Sequence, residues 1–202
     1  MGSAQLLRSA EGLGEEARHL CAIVERETCR LNDLVDDMLQ LARPRRPVLT
    51  EVDAARTARE VVALATQSGR GADMVVRYEG PSDPDQLVLR ADAGQLRQVV
   101  WNLVRNAVQA SSPGAEVRVR VFKPDGEGRG ASPSVVLEVH DDGPGIEAEA
   151  KQRLFDAFFT TRSSGMGIGL AVVKRIVDDH GWRIEADSRE GRGATFRVKM
   201  QD

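Results

Sequence analysis

The stretch Val135-Val136-Leu137-Glu138-Val139-His140-Asp141-Asp142-Gly143-Pro144-Gly145-Ile146 decides the fold. In its first half Val135, Leu137 and Val139 alternate with other residues, the period of a strand that buries one face. Its second half ends the strand and sets an acidic pair directly before Gly-Pro-Gly. Backbone without a Cβ can approach a flat ligand closely, and a carboxylate beside it can accept from an exocyclic amine. The same Asp-Gly-Pro-Gly run is also ordinary turn chemistry.

Upstream, Val117, Val119 and Val121 alternate with arginines and predict a partner strand, joined through a Gly-, Pro- and Ser-containing loop at 124–133. A helix is predicted from Asp92 to Ser111, with Asp92 as N-cap, Gln95 three residues on as in a capping box, and Ser112-Pro113-Gly114 as the stop. Leu96, Val99, Leu103 and Ala107 form its buried stripe, while Gln98, Asn102 and Asn106 recur every fourth residue on another face. Carboxamides are neutral oxygen donors that can ligate a hard cation and leave its charge available to phosphates, and a polar solvated face gives the same pattern.

Downstream, helices are expected at about 147–158 and 168–180, the second closed by Gly181. Gly165-Met166-Gly167-Ile168-Gly169-Leu170 opens that second helix, where exposed N–H groups and the helix N-terminus favour anions. It lacks the spacing and preceding strand of a dinucleotide fingerprint and the Gly-Lys-Ser/Thr of a P-loop. Two more strands follow, Trp182–Asp187 and Ala194–Met200, joined by a turn that includes Gly191-Arg192-Gly193. There Thr195 either faces a base or sits in a plain hairpin. Trp101 and Trp182 read as packing residues. Hairpin strands mixed with helices predict an α+β fold, a two-layer sandwich with helices on one face of a mixed, mostly antiparallel sheet.

Before this region, Asp53–Thr66 reads as a helix capped by Asp53, and Leu87–Leu89 as a short strand. Residues 15–43 read as one long helix whose stripe of Val24, Thr28, Leu31, Val35, Met38 and Ala42 needs cover from a second copy or another domain. Ala4–Ala10 looks like the end of an earlier helix, with a turn at Glu11–Gly14. Arg43-Pro44-Arg45-Arg46-Pro47 stops the long helix and sets a boundary between 1–46 and 47–202.

Composition narrows the function. With 28 basic against 31 acidic residues and 4% aromatics, neither bulk attraction to nucleic acid nor base stacking has the side chains it needs. The longest stretch free of charge is Ser163–Val173, too short to span a bilayer, so no membrane segment is expected and a cytoplasmic location is. Cys21 and Cys29, eight apart on one helical pattern, read as reduced packing residues.

Taken in order, these segments resemble the ATP-binding domain of the sensor histidine kinases, within the larger family of gyrase, Hsp90 and MutL ATPases. Asn102-Leu103-Val104-Arg105-Asn106-Ala107 is similar to the N box and Asp141–Gly145 to the G1 box. Phe155–Arg162 resembles the F box, and Gly165–Leu170 and Gly191–Phe196 the remaining glycine boxes. The interval from Phe159 to Gly165 resembles the short lid of the nitrogen-regulation type. The resemblance implies a Bergerat-type fold that takes ATP and Mg²⁺. It places Asn106 on the metal and Asn102 beside it as a catalytic residue. Asp141, Gly143 and Gly145 are placed around adenine, with Thr195 on the adenine side, and Ala110 and Ile146 among the nucleotide-binding residues. Arg162, Gly167, Gly169 and Leu170 are placed around the phosphates, Thr161 and Gly165 among the nucleotide-binding residues, and Phe158 and Phe159 in packing the lid. Hydrolytic relatives carry a glutamate general base where this chain has Asn102, which favours transfer to a protein over hydrolysis.

The same resemblance calls for an acceptor histidine followed by an acidic residue and Asn/Thr-Pro. His19, followed by Leu20-Cys21-Ala22, does not match. His140 ends a strand, and His180 sits at a helix C-terminus, where a cation would suit the dipole. The expectation is a kinase truncated after its acceptor box. Residues 1–46 are then a partial dimerisation hairpin able to form a homodimer through 15–43. Its partners are the parent's acceptor hairpin and a cognate response regulator. Rival readings are an ATPase or a serine/threonine kinase of the same fold, and a nucleotide-dependent binding module without phosphotransfer.

Overall fold

The computed structural model describes residues 14–42, 46–67, 74–82, 87–124, 134–162 and 166–201. The expected helix tail at 4–10, most of the 11–14 turn, Gly165 and most of the loop at 124–133 lie outside the described residues. The chain divides into two compact units, Met1–Pro44 and Arg45–Asp202.

In the first unit, α1 (Glu15–Ala42) is a single helix. It leaves Leu20, Val24, Leu31, Val35 and Met38 exposed, between 44% and 60% of their surface. Cys21 carries a free thiol.

The second unit runs β1 (Thr50–Asp53), α2 (Ala54–Gln67), β2 (Val75–Glu79), β3 (Val88–Ala91), α3 (Ala93–Ala110), β4 (Glu116–Phe122) and β5 (Ser134–Asp141). It continues through α4 (Ala148–Lys151), α5 (Gly169–Asp179), β6 (Arg183–Ser188) and β7 (Ala194–Gln201). Five strands form one sheet in the order β2-β4-β5-β7-β6, antiparallel except for β2 beside β4. On one face the sheet packs against α2, α3 and α5, and the core between them includes Leu96, Leu103, Val119, Leu137, Ile176 and Phe196, all 1% exposed or less. The other face is charged. Glu138 accepts from Arg197 at 2.6 Å and from Arg120 at 3.4 Å across three neighbouring strands. This is the mixed sheet with helices on one face that the alternating patterns imply.

Three sequence expectations change. β1 and β2 were not legible as strands: β1 is four residues with one buried side chain, Val52, paired antiparallel to β3, and β2 is an edge strand. The short strand at Leu87–Leu89 shifts to Val88–Ala91, with Leu87, Leu89 and Ala91 buried and Val88 exposed. The helix expected at 147–158 is one turn, Ala148–Lys151. Beyond it the backbone closes tighter bonds, Arg153 to Ala150, Asp156 to Arg153 and Phe159 to Asp156, and Phe158 turns to φ +68°. Bonds to the third residue back cannot extend an α-helix.

The N-cap of α3 is as the sequence implies: Asp92 Oδ1 accepts from the N–H groups of Gly94 and Gln95, and Oδ2 from Val48. The reciprocal half of the capping box is not made by Gln95. The Asp92 N–H donates instead to His180 Nε2 at 3.1 Å, and His180 Nδ1 lies 2.9 Å from the Ile176 carbonyl. One ring nitrogen must accept and the other donate, so His180 is the neutral Nδ1–H tautomer rather than a helix-end cation. Its ring packs on Trp182, with centroids 4.2 Å apart. His180→Ala strands the N–H of a residue only 4% exposed. It should cost about 1–3 kcal/mol, read as a lower urea midpoint, with partial recovery in His180→Gln, whose amide oxygen can accept.

Candidate active site

The site is assembled where β5, the loop after it, the end of α3 and the head of α5 meet. Strand alternation turns Asp141 to the helix side of the sheet, where it is 2% exposed. Its Oδ1 accepts from the Gly143 N–H at 3.0 Å, and the Ala194 N–H also bonds the carboxylate. Burial pushes the Asp141 pKa above the usual carboxylate range, against the opposing pull of those two N–H groups, His140 and Arg162. An acceptor held this way keeps lone pairs for a further donor from outside the protein.

Close backbone contact shapes the rest. A Cβ on Gly143 would sit 2.8 Å from the Ala110 carbonyl, which fixes the 143–146 loop against the end of α3. Gly145 lies against Arg189, and Gly193 against the Asp141 carbonyl, each too close for any side chain. The Ile146 N–H donates to Ser188 Oγ, which in turn donates to the Gly193 carbonyl, and Lys151 Nζ reaches the Ser188 carbonyl. Ser188 and Lys151 therefore clamp the two glycine turns together. Neither stood out in the sequence, since a lone Ser before a turn carries no periodic signal.

Toward the lid, the Phe158 N–H donates to the Gly167 carbonyl at 3.0 Å, and a Cβ on Gly167 would run into the Phe159 backbone. Arg162 is half-buried, and its Nη1 donates to the Asn106 carbonyl at 3.3 Å. Burial lowers the Arg162 pKa, and the charge of Asp141 opposes that shift. Asn106 is half-buried, whereas Asn102 is 2% exposed and its Nδ2 donates to the Gly169 carbonyl at 3.4 Å. Gly169 and Leu170 open α5 behind Ile168, which provides no side-chain cap. The head of α5 thus has no N-cap side chain of its own, in contrast to the capped start of α3, and such a helix N-terminus favours an anion.

The structure brings together Asn102, Asn106, Ala110, Asp141, Gly143, Gly145, Ile146, Arg162, Gly167, Gly169 and Leu170. Thr161 is exposed on the lid. Thr195 is a correction. Its Oγ1 lies 2.8 Å from His140 Nδ1, on the sheet face opposite Asp141, because Phe196, Val198 and Met200 take the buried face of β7. His140 also bonds Asp142 at 3.0 Å, so it is fixed between the two. The Phe158 expectation is a second correction. Phe158 is 63% exposed and does not pack the lid, while Phe159 is half-buried under the Arg153 guanidinium, 4.5 Å from its ring centre.

The site thus holds a buried carboxylate, a half-buried guanidinium and the head of α5. The histidine kinase-, DNA gyrase B- and HSP90-like ATPase family model matches residues 91–202, and the chain belongs to that family. The sensor histidine kinase ZraS of Escherichia coli is 32% identical over 197 residues, covering 98% of this chain and 40% of the relative. The sensory histidine kinase/phosphatase NtrB of Rhizobium leguminosarum bv. phaseoli is 36% identical over 208 residues, covering 98% and 53%. The chain thus spans about two-fifths to half the length of these relatives. Full-length ShkA, solved in complex with AMPPNP, is 28% identical with a TM-score of 0.71, over 98% of this chain and 41% of that one. The histidine kinase ThkA, solved with the response regulator TrrA, is 26% identical with a TM-score of 0.72, over 98% and 55%.

Proposed function

We propose that the chain is the ATP-binding catalytic part of a two-component sensor histidine kinase. It donates the γ-phosphate of ATP to a histidine outside residues 1–202, for relay to an aspartate of a response regulator. The observation that carries this reading is the head of α5, where α3 presents the buried carboxamide of Asn102 to Gly169 and no carboxylate to activate water. Asp141 accepts the adenine amine, Gly143 and Gly145 give the base room, and Arg162 and the N–H groups of Gly167, Gly169 and Leu170 receive the phosphates.

Among the described residues no group of three His, Cys, Asp or Glu side chains could hold a metal. Mg²⁺ binds through one or two protein oxygens plus substrate phosphates, and the half-buried carboxamide of Asn106 would be the neutral oxygen donor for it. A Mg²⁺ held by Asn106 would supply charge neutralisation for phosphoryl transfer. Asn102 positions the head of α5.

The division of the chain at Pro44/Arg45 supports reading residues 1–46 as part of a dimerisation hairpin without its acceptor, and 47–202 as the catalytic domain. The exposed apolar residues of α1 support a homodimer through 15–43. Among the described residues no helix is long and apolar enough to cross a membrane. The ThkA complex with TrrA supports a response regulator as partner.

The test incubates the chain with Mg²⁺ and γ-labelled ATP, alone and with an acceptor hairpin from a sensor histidine kinase. Expected are bound nucleotide, little free phosphate, no label on the chain and acid-labile label on the added hairpin. Sustained phosphate release would make the chain an ATPase. Acid-labile label on His19, His140 or His180 would overturn the external acceptor.

A further inference from the structure

Arg105 lies between the two asparagines of α3 but was assigned no role by its position in the sequence. A methyl group built on Gly169 would stand 2.9 Å from Arg105 Nη2 and 3.9 Å from Asn102 Cγ. The guanidinium therefore rests on the first residue of α5, at the head of that helix. Arg162 occupies the other side of the cleft, on the Asn106 carbonyl and within the field of Asp141. The two guanidiniums thus have different neighbours, Gly169 for Arg105 and the Asn106 carbonyl for Arg162.

The direction of the ligand follows from the same helix. The Ala110 carbonyl lies against Gly143 on the Asp141 side, and Asn102 bonds Gly169 at the α5 side. These positions are 110 − 102 = 8 residues apart, about 12 Å of helix rise. A nucleotide whose base sits on Asp141 runs its tail along this length. It meets Arg162 first and the head of α5 last.

We propose that Arg105 contacts the terminal phosphate of ATP and makes the site prefer ATP over ADP. This rests on the nucleotide reading above and adds a residue to it. A guanidinium and the head of α5 converge on one anionic group, and the last phosphate of a tail running from Asp141 is the one placed to meet both. Arg162 serves phosphates common to ATP and ADP.

The test is calorimetric titration of Mg·ATP and Mg·ADP into the wild-type chain, Arg105→Ala and Arg105→Lys. Arg105→Ala should weaken ATP about tenfold or more and ADP less than about threefold, and Arg105→Lys should restore most of the preference. Should Arg105→Ala alter the circular dichroism of the fold, Arg105→Gln keeps most of the side-chain length without the charge, and the same split is expected of it. Equal loss of both nucleotides, or no change in either, overturns the assignment of Arg105 while leaving the nucleotide site in place. A wild-type chain that binds neither overturns the nucleotide reading and this proposal with it.

Discussion

Asp141→Asn should weaken ATP binding roughly 30- to 1000-fold while changing the stability of the fold little. The carboxylate has two backbone donors on it, the N–H groups of Gly143 and Ala194, and the adenine amine would be a third. A carboxylate offers two acceptor oxygens, and an amide offers one oxygen and one NH₂. In the variant at least one donor faces another donor. Losing a charge-assisted bond and leaving a buried donor unmet together cost about 2–4 kcal/mol of binding. Titration calorimetry reads this directly. Binding within threefold of wild type would remove Asp141 from the base site.

Stability moves differently because two effects oppose each other. Ionised Asp141 is buried, and burial raises its pKa above the value it has in the unfolded chain. The folded state therefore holds the proton more tightly, and wild-type stability falls as pH rises from the unfolded pKa through the folded one. Asp141→Asn removes that slope and the desolvation penalty, but leaves one backbone N–H poorly matched. Urea unfolding across the acid range should show the slope flattened in the variant and the two stabilities close near neutral pH. A parallel loss of binding and of folding would mean that Asp141 is a structural carboxylate.

What the sequence made legible was local. The strand into Asp141, the Asp92 cap and the buried stripe of α3 each follow from neighbours within a few residues, and each stands where the pattern puts it. β1 and β2 escaped because four- and five-residue strands gain their hydrogen bonds from partners far along the chain. The His180 tautomer was beyond reach, since it depends on an N–H 88 residues away. Thr195 is the instructive miss. Phe196, Val198 and Met200 alternate, so parity alone sends Thr195 with Arg197 and Lys199 to the other face. The parity was in the sequence, and the motif resemblance overrode it.

The second large effect is expected at Gly193, and its control lies two residues away. Gly191 and Gly193 both sit in the turn between β6 and β7 with φ of +73° and +77°. A side chain at either must adopt left-handed backbone, which costs about 1–2 kcal/mol. Around Gly191 a Cβ meets open space. At Gly193 it would overlap the Asp141 carbonyl, with the Asp142 Cα 3.2 Å away. Backbone cannot yield as a side-chain tip can, so Gly193→Ala must push the start of β7 away from the end of β5. Those residues, Asp141 and Ala194, are register partners and share the bond that holds the site carboxylate. Gly191→Ala should thus lower stability by about 1 kcal/mol and leave nucleotide affinity unchanged. Gly193→Ala should lose about 3 kcal/mol or more and lose nucleotide binding under conditions where it remains folded. Equal effects of the two substitutions would show that conformational strain, not close approach to Asp141, explains the second glycine. Unequal effects tie the turn to the site, because the left-handed backbone is common to both positions while the backbone of Asp141 stands opposite the added methyl group at Gly193 alone.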